Sequence, residues 1–600
     1  MQRIFQVLFV IILLGLVGCN RSADAVAPEP VPPTAVLPAP TDTLAIPTEP
    51  ATVPVPPTDT VAPTDTAPPP TEPPSPVPPS PTFIAEPTDA SDLSINAPDV
   101  TLYPVPDIYS GDKVTFQVLP HVPESIPVTD VVAVILVDGV EVARGPLDRR
   151  NWNGQAEGVY EWAWDTANLT GDYQVEVRLD PEDLIQAGDE DSLNNSTVLT
   201  TTVKIVAGQV ARMAAAATWE TTSINCCDVH VVSNTAAARD LPTLLPMLES
   251  AVQTAADRLG EQPSRKLQVY FIDRVLGQGG FAGTDMVVSY VDRRYAGGGL
   301  YELLVHEAIH IIDQQFAPRR ISFLAEGLAV WASGGHYKTE DLTERSAALL
   351  QLGRYIPLAQ LVNDFYPVQH EIGYLEAAGF VTFLIERGGW TTFKNFYTDV
   401  VADDGPTLAD ALDVNLQRYY GASLAALESE WLAALQSRPP RPEAVEDLAT
   451  TIRYYDVARR YQELYDPTAF FLNAWLPHPT EVRQFGNPAD LTRRPKTDLN
   501  ITLEVMLAVA DTAMRATDYG RANVLLDSVE NILDNNGEII DPMATSYYKI
   551  VQAAQEYGYE LHDVDLKGTS ARATATQAPS IRLTNLVMEQ RGPVWVILSH

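Results

Sequence analysis

Residues 20–98 are built of Pro, Thr, Ala and scattered acids, and this stretch decides how much of the chain can fold at all. A run such as Val53-Pro54-Val55-Pro56-Pro57-Thr58-Asp59-Thr60 has too little apolar surface to offset the entropy lost on ordering, and its prolines favour extended polyproline II. Residues 20–98 are therefore expected to form a disordered stalk. Ahead of it, Arg3 precedes an apolar run from Ile4 that closes on Leu16-Val17-Gly18-Cys19. Residues 1–19 read as a lipoprotein signal peptide, with Cys19 as the lipidated N-terminus of the mature chain. An uncleaved anchor helix is the alternative, but the run is short for a bilayer. The expectation is an exported chain held to the cell membrane through Cys19 and facing outward.

Six hundred residues exceed what one core can serve, so several domains are expected. A net charge of -38 repels polyanions, which excludes nucleic acid as a partner class. Only Cys19, Cys226 and Cys227 occur, too few for a disulfide scaffold or a Cys-based zinc ribbon. Cys226-Cys227 is expected as a vicinal disulfide or as two packed thiols.

Past the stalk, residues 99–206 alternate apolar and polar over short runs, as in Lys113–Val118, Val131–Leu136, Tyr173–Arg178 and Val198–Val203, with Asp138-Gly139 and Thr170-Gly171-Asp172 as turns. This rhythm reads as a β-sandwich. Its segment Asp191-Ser192-Leu193-Asn194-Asn195-Ser196 before the last strand resembles the adhesion-type Ig-like modules of bacterial surface proteins, and a passive spacer is expected. Residues 207–437 read as mixed α/β, with a helix through Leu241–Leu259 and strands at Lys266–Ile272 and Met286–Tyr290. The loop Gly277–Gly283 lacks the Gly-Lys-Ser/Thr ending of a phosphate cradle, so close backbone packing or a substrate-facing edge is expected there. Beyond Pro439-Pro440, residues 438–560 read as a helical accessory region containing one TPR-like unit. Residues 561–600 read as a small β tail with one strand pair.

The chemistry concentrates in Leu303-Leu304-Val305-His306-Glu307-Ala308-Ile309-His310-Ile311-Ile312-Asp313, a stretch without Pro or Gly. On a helix, positions four apart share a face, so His306 and His310 can offer two imidazoles to one ion while Glu307 projects beside it. A carboxylate so placed suits a general base that activates water and later protonates the leaving amine. A third ligand is needed to leave one position open. Glu326 is the only acid in the apolar helix Ile321–Trp331, where an unpaired carboxylate is costly to bury and a metal ion would resolve the cost. His336, in Gly334-Gly335-His336-Tyr337, is a cleft residue or a replacement ligand.

His306-Glu307-Ala308-Ile309-His310 followed by Ala325-Glu326-Gly327-Leu328-Ala329 resembles the gluzincin clan of HExxH zinc peptidases. The metzincin pattern is excluded, because Asp313 and Phe316 stand where it needs Gly and His. The resemblance implies one Zn²⁺ held by His306, His310 and Glu326, a peptide or protein substrate, and Glu307 as catalytic base. It also implies an oxyanion donor on a later helix, with Tyr374 the first candidate and His370 the second. The thermolysin-like branch has an Asp four positions after the Glu ligand, where this chain has Val330, and Asp313 could support His310 instead or be an ordinary surface acid. The aminopeptidase branch places a Glu upstream of the helix; Gly279–Gly283 contains none, so endopeptidase or unassigned specificity is implied. The expected architecture is an α+β zincin-like domain preceded by an Ig-like β-sandwich and followed by a helical region with a β tail. The competing expectation is a non-enzymatic surface adhesion protein retaining a zincin scaffold.

Overall fold

Alternating apolar residues build the first two sheets. In the computed structural model, which describes residues 92–185, 197–207 and 217–600, β1 (Val100–Tyr103), β3 (Lys113–Val118), β7 (Ala156–Asp165) and β6 (Arg149–Arg150) form one sheet in that order. The second runs β2 (Ile108–Tyr109), β9 (Val198–Val206), β8 (Gly171–Leu179), β4 (Val132–Val137), β5 (Val140–Pro146). Val114, Phe116 and Val118 of the first sheet share a core with Ala133, Ile135, Val175 and Val177 of the second. Asp138 and Gly139 both take positive φ (46° and 77°), as a tight hairpin between β4 and β5 requires.

Leu93 and Ile95 are buried in the same core. The expected stalk therefore stops short of residue 98, because these alternating apolar side chains complete the sandwich. The signal peptide, Cys19, the stalk up to residue 91 and the Asp191–Ser196 loop lie outside the described residues. No helix among the described residues is long and apolar enough to cross a membrane.

The expected passive spacer is instead fastened to a later part of the chain. Trp475 is 2% exposed and meets Tyr103 at 5.1 Å between ring centroids, while its indole N–H donates to Glu161 (3.0 Å). The indole N–H of Trp162 donates to Asp490 (3.0 Å), and Arg493 pairs with Asp112 (2.5 Å). A buried and a half-buried tryptophan with an ion pair make this a fixed junction.

A third sheet follows, in the order β10 (Trp219–Ser223), β11 (Cys227–Val232), β12 (Leu267–Ile272), β14 (Met286–Ser289), β13 (Gly280–Ala282). Its three central strands are parallel and both edges antiparallel. Cys226 and Cys227 are disulfide-bonded where β11 begins. One face packs Val229, Val231, Val269 and Phe271 against helix α1 (Ala236–Leu259) and α2 (Leu300–Asp313). The other packs Tyr270, Ile272 and Val287 against Val482 and Leu491. Cover on both faces explains the near-continuous apolar reading of these strands.

The helical layer continues with α3 (Ser322–Ser333), α4 (Leu342–Gln351), α5 (Leu358–Asn363), α6 (His370–Asp399), α7 (Leu408–Tyr420) and α8 (Leu424–Gln436). Gly327 lets α3 lie against α6, since a Cβ there would meet the Ala377 carbonyl oxygen at 2.8 Å. After the proline break, α9 (Pro442–Tyr465) packs Leu448 and Ile452 against Leu349 and Leu375, so the core crosses that boundary. Helices α10 (Pro479–Gln484), α11 (Asp498–Arg515), α12 (Tyr519–Asp534) and α13 (Pro542–Gln555) lead to the tail. The tail is a four-stranded antiparallel sheet, β15 (Tyr559–Lys567), β16 (Ser570–Gln577), β17 (Thr584–Arg591) and β18 (Val594–Ser599), rather than the expected single strand pair. Leu561, Ala573 and Met588 pair its inner face with the α11–α13 core.

Glu376 on α6 is 1% exposed and accepts the Ile356 backbone N–H (3.0 Å). Burial pushes its carboxyl up to about 8 from 4.5. A carboxyl raised on folding holds its proton more tightly in the folded chain, so its contribution is present at low pH and is lost as pH climbs from about 4.5 toward about 8. Glu376→Gln is expected to match the wild type at pH 5 and to be more stable at pH 8, by roughly 1–3 kcal/mol in urea unfolding. A difference that does not change with pH would contradict this.

Candidate metal centre

Helix α2 buries Leu304, Ala308, Ile309 and Ile312 in the main core, which turns His306 and His310 to its opposite side. Helix α3 brings Glu326 to them, the close approach of α3 to α6 at Gly327 fixing its depth. His306 Nε2 and His310 Nε2 are 3.1 Å apart, and Glu326 Oε2 is 3.1 Å from the first and 3.2 Å from the second. Ligands bound at about 2.0–2.1 Å to a tetrahedral ion stand roughly 3.3 Å apart, so this triangle fits one zinc ion with a fourth position open. Electrostatics agree. Burial disfavours the Glu326 charge, yet the two imidazoles hold its carboxyl well below the usual range. Burial pushes His306 down to about 4. It also opposes charge on His310, but the Glu326 carboxylate outweighs it and draws that ring up to about 9. One carboxylate thus retains a positive charge at the convergence point, a place a metal cation can take.

Glu307 lies beside the triangle, 4% exposed, with its Oε2 making no hydrogen bond. Burial pushes its carboxyl up to about 8. Strand β13 runs across it: a Cβ on Gly280 would come to 3.6 Å from Glu307 Oε1 and collide with the Val287 carbonyl oxygen at 2.7 Å. The glycine loop thus supplies both close packing and an edge on the cleft. All four residues line a cavity of about 340 Å³.

Tyr374 also lines the cavity, its ring stacked on His306 (6.2 Å between centroids, 17° between planes). Its hydroxyl makes no hydrogen bond to any described residue. His370 lines the same cavity, 4.8 Å from Tyr374 and 4.4 Å from Phe471, buried and pushed by that burial well below its usual pKa. His336 is not part of the triangle, against the alternative of a replacement ligand. Its Nδ1–H donates to Glu371 Oε2 (2.6 Å), leaving Nε2 for the cavity it lines. Glu371 is fully buried and is itself held by Arg345 (3.2 Å).

Asp313 does not support His310 directly. Its carboxylate is taken by the Tyr397 hydroxyl and by Arg320 (3.0 Å), and His310 Nδ1 makes no hydrogen bond. Arg320 also donates to the His310 carbonyl oxygen (3.1 Å), so Asp313 helps clamp the end of α2 rather than orient the ring. The support that sequence reasoning missed is Tyr366, whose hydroxyl donates to Glu326 Oε1 (3.2 Å) and leaves Oε2 to face the histidines. Trp152, Tyr455 and Phe471, from outside residues 207–437, were missed as cavity walls. No local motif surrounds them that could have marked them. Among known proteins, no family model, no curated protein and no solved structure matches this chain, so the reading of the site rests on its own geometry.

Proposed function

We propose that the chain is a zinc-dependent peptidase, with His306, His310 and Glu326 holding one Zn²⁺ and Glu307 acting as general base. The observation that carries this is the convergence of three potential ligand atoms beside a buried, unpartnered carboxylate in an open cleft. A zinc ion held there would supply Lewis acidity toward a peptide carbonyl and would ease ionisation of water near neutral pH. The protein's own groups do the rest. Glu307 takes a proton from the attacking water and passes it to the leaving amine. Tyr374, with an unengaged hydroxyl and its ring stacked on His306 in the cavity wall, donates to the carbonyl oxygen as negative charge develops there. His336 presents Nε2 to the bound substrate while Glu371 fixes its ring. Strand β13 is a sheet edge on the cleft, suited to pairing with an extended peptide.

The cavity walls include Glu302, Glu307 and Glu326, and the small pocket that shares Gly277, Gln278, His370, Tyr455 and Phe471 with it is lined by Arg459. The two N-terminal sheets are read as an Ig-like module and the central region as zincin-like, in a lipoprotein anchored outward through Cys19. A non-enzymatic adhesion protein would have no use for Glu307.

Chelation tests the proposal. Dialysis against a strong chelator is expected to abolish cleavage of a peptide library followed by mass spectrometry, and one equivalent of zinc to restore it. A wild-type protein that takes up no zinc, or that cleaves equally after chelation, sinks the reading.

A further inference from the structure

The turn between β6 and β7 is held rigidly. Asn151 Oδ1 accepts the backbone N–H groups of Asn153 (3.0 Å) and Gln155 (2.9 Å), and Arg150 donates to the Gly154 carbonyl (3.0 Å). The Asn151 side-chain amide reaches across to Asn473 (3.1 Å), pinning the turn to the far wall. At its tip Trp152 meets Tyr366 edge to face (4.7 Å, 62°) and lines the cavity that holds His306, Glu307 and Glu326. The tryptophans that serve packing are covered: Trp475 is 2% exposed and Trp164 6%. Trp152 is 54% exposed. A large indole left half bare on an immobilised turn gains little for folding, but it presents preorganised apolar surface to a ligand at low entropic cost. Phe281 on the edge strand and Leu476 add apolar surface to the same cavity.

Resting on the peptidase reading, we infer that Trp152 and Tyr366 form an aromatic subsite for a large apolar side chain next to the scissile bond. The N-terminal sandwich is thus part of the substrate site, and the preferred substrates are peptides carrying an aromatic or bulky aliphatic residue at that position. Trp152 is a specificity residue, acting on the substrate side chain and not on the reacting atoms.

The test uses the zinc-loaded full chain and two chelating probes, acetohydroxamate and N-acetyl-phenylalanine hydroxamate, with affinities read by calorimetry. Trp152→Ala is expected to weaken the aromatic probe about tenfold, the scale of a lost aromatic contact with its buried area, and to leave acetohydroxamate unchanged. Trp152→Phe should recover most of the loss. A purely structural role, transmitted through Tyr366 to Glu326, would weaken both probes equally and overturns the inference; so does an aromatic affinity that Trp152→Ala leaves unaltered. If the wild type binds zinc but neither variant shifts the ratio of the two affinities, only this inference falls. If the wild type binds no zinc, the peptidase reading falls and takes the subsite with it.

Discussion

Glu307→Gln is expected to lower peptide hydrolysis by about three orders of magnitude while zinc content stays at the wild-type level. The amide keeps the shape and the hydrogen-bonding edge of the side chain but cannot take a proton. Glu307 Oε2 has no partner in the protein, so the substitution breaks no structural contact at that atom, and it removes a buried group that resists ionisation. Folding stability should therefore hold or rise. Separate measurement of metal by emission spectrometry and of turnover by mass spectrometry distinguishes the roles: hydrolysis persisting at wild-type rate with zinc bound would remove Glu307 as the base.

The second large effect lies behind the cavity, in stability. Arg345 is 3% exposed and pairs with Glu340 (2.5 Å), Asp447 (2.8 Å) and Glu371 (3.2 Å). Arg345→Met leaves those carboxylates facing one another in a buried place, with Lys338 still on Asp447. Loss of one partner from a buried ion pair costs about 3–5 kcal/mol, most of it the desolvation of what remains. Urea unfolding should show a loss of that order. The exposed pair Arg319–Asp403 is the contrast, since the same charges in solvent contribute little and Arg319→Ala should be nearly silent. Equal effects from the two substitutions would mean that the buried network is not what holds α4, α6 and α9 together.

The parts of the candidate site that could be read from sequence are those in which spacing is itself geometry. His306 and His310 meet because one helical turn separates them, and Glu326 stood out because a lone acid in an apolar helix demands a partner. The strands at Lys113–Val118 and Leu267–Ile272 were likewise visible in their side-chain patterns. What failed depended on partners distant in the chain. Asp313 was weighed as a support for His310 from its place on the helix, but Arg320 and Tyr397 claim it. His336 was weighed as a spare ligand because its partner Glu371 lies on α6, and nothing near His336 points to it. The sandwich seemed a spacer because Trp162 and Trp152 occupy outward positions of β7 and its turn, and outward aromatic residues have meaning only once the facing surface is known.

The wall that Phe471 and Leu476 add to the cleft also sets a schedule. His306 to Glu326 leave the ribosome well before Phe471, Leu476 and the Trp475 anchor that seats the sandwich. Until that segment emerges, the turn bearing Trp152 has Tyr366 to meet but not Asn473, and His306, His310 and Glu326 stand in a more open groove. A chain with this topology completes the cleft late in synthesis, and one truncated before residue 470 would carry every residue of the triangle without the wall that Phe471 and Leu476 supply.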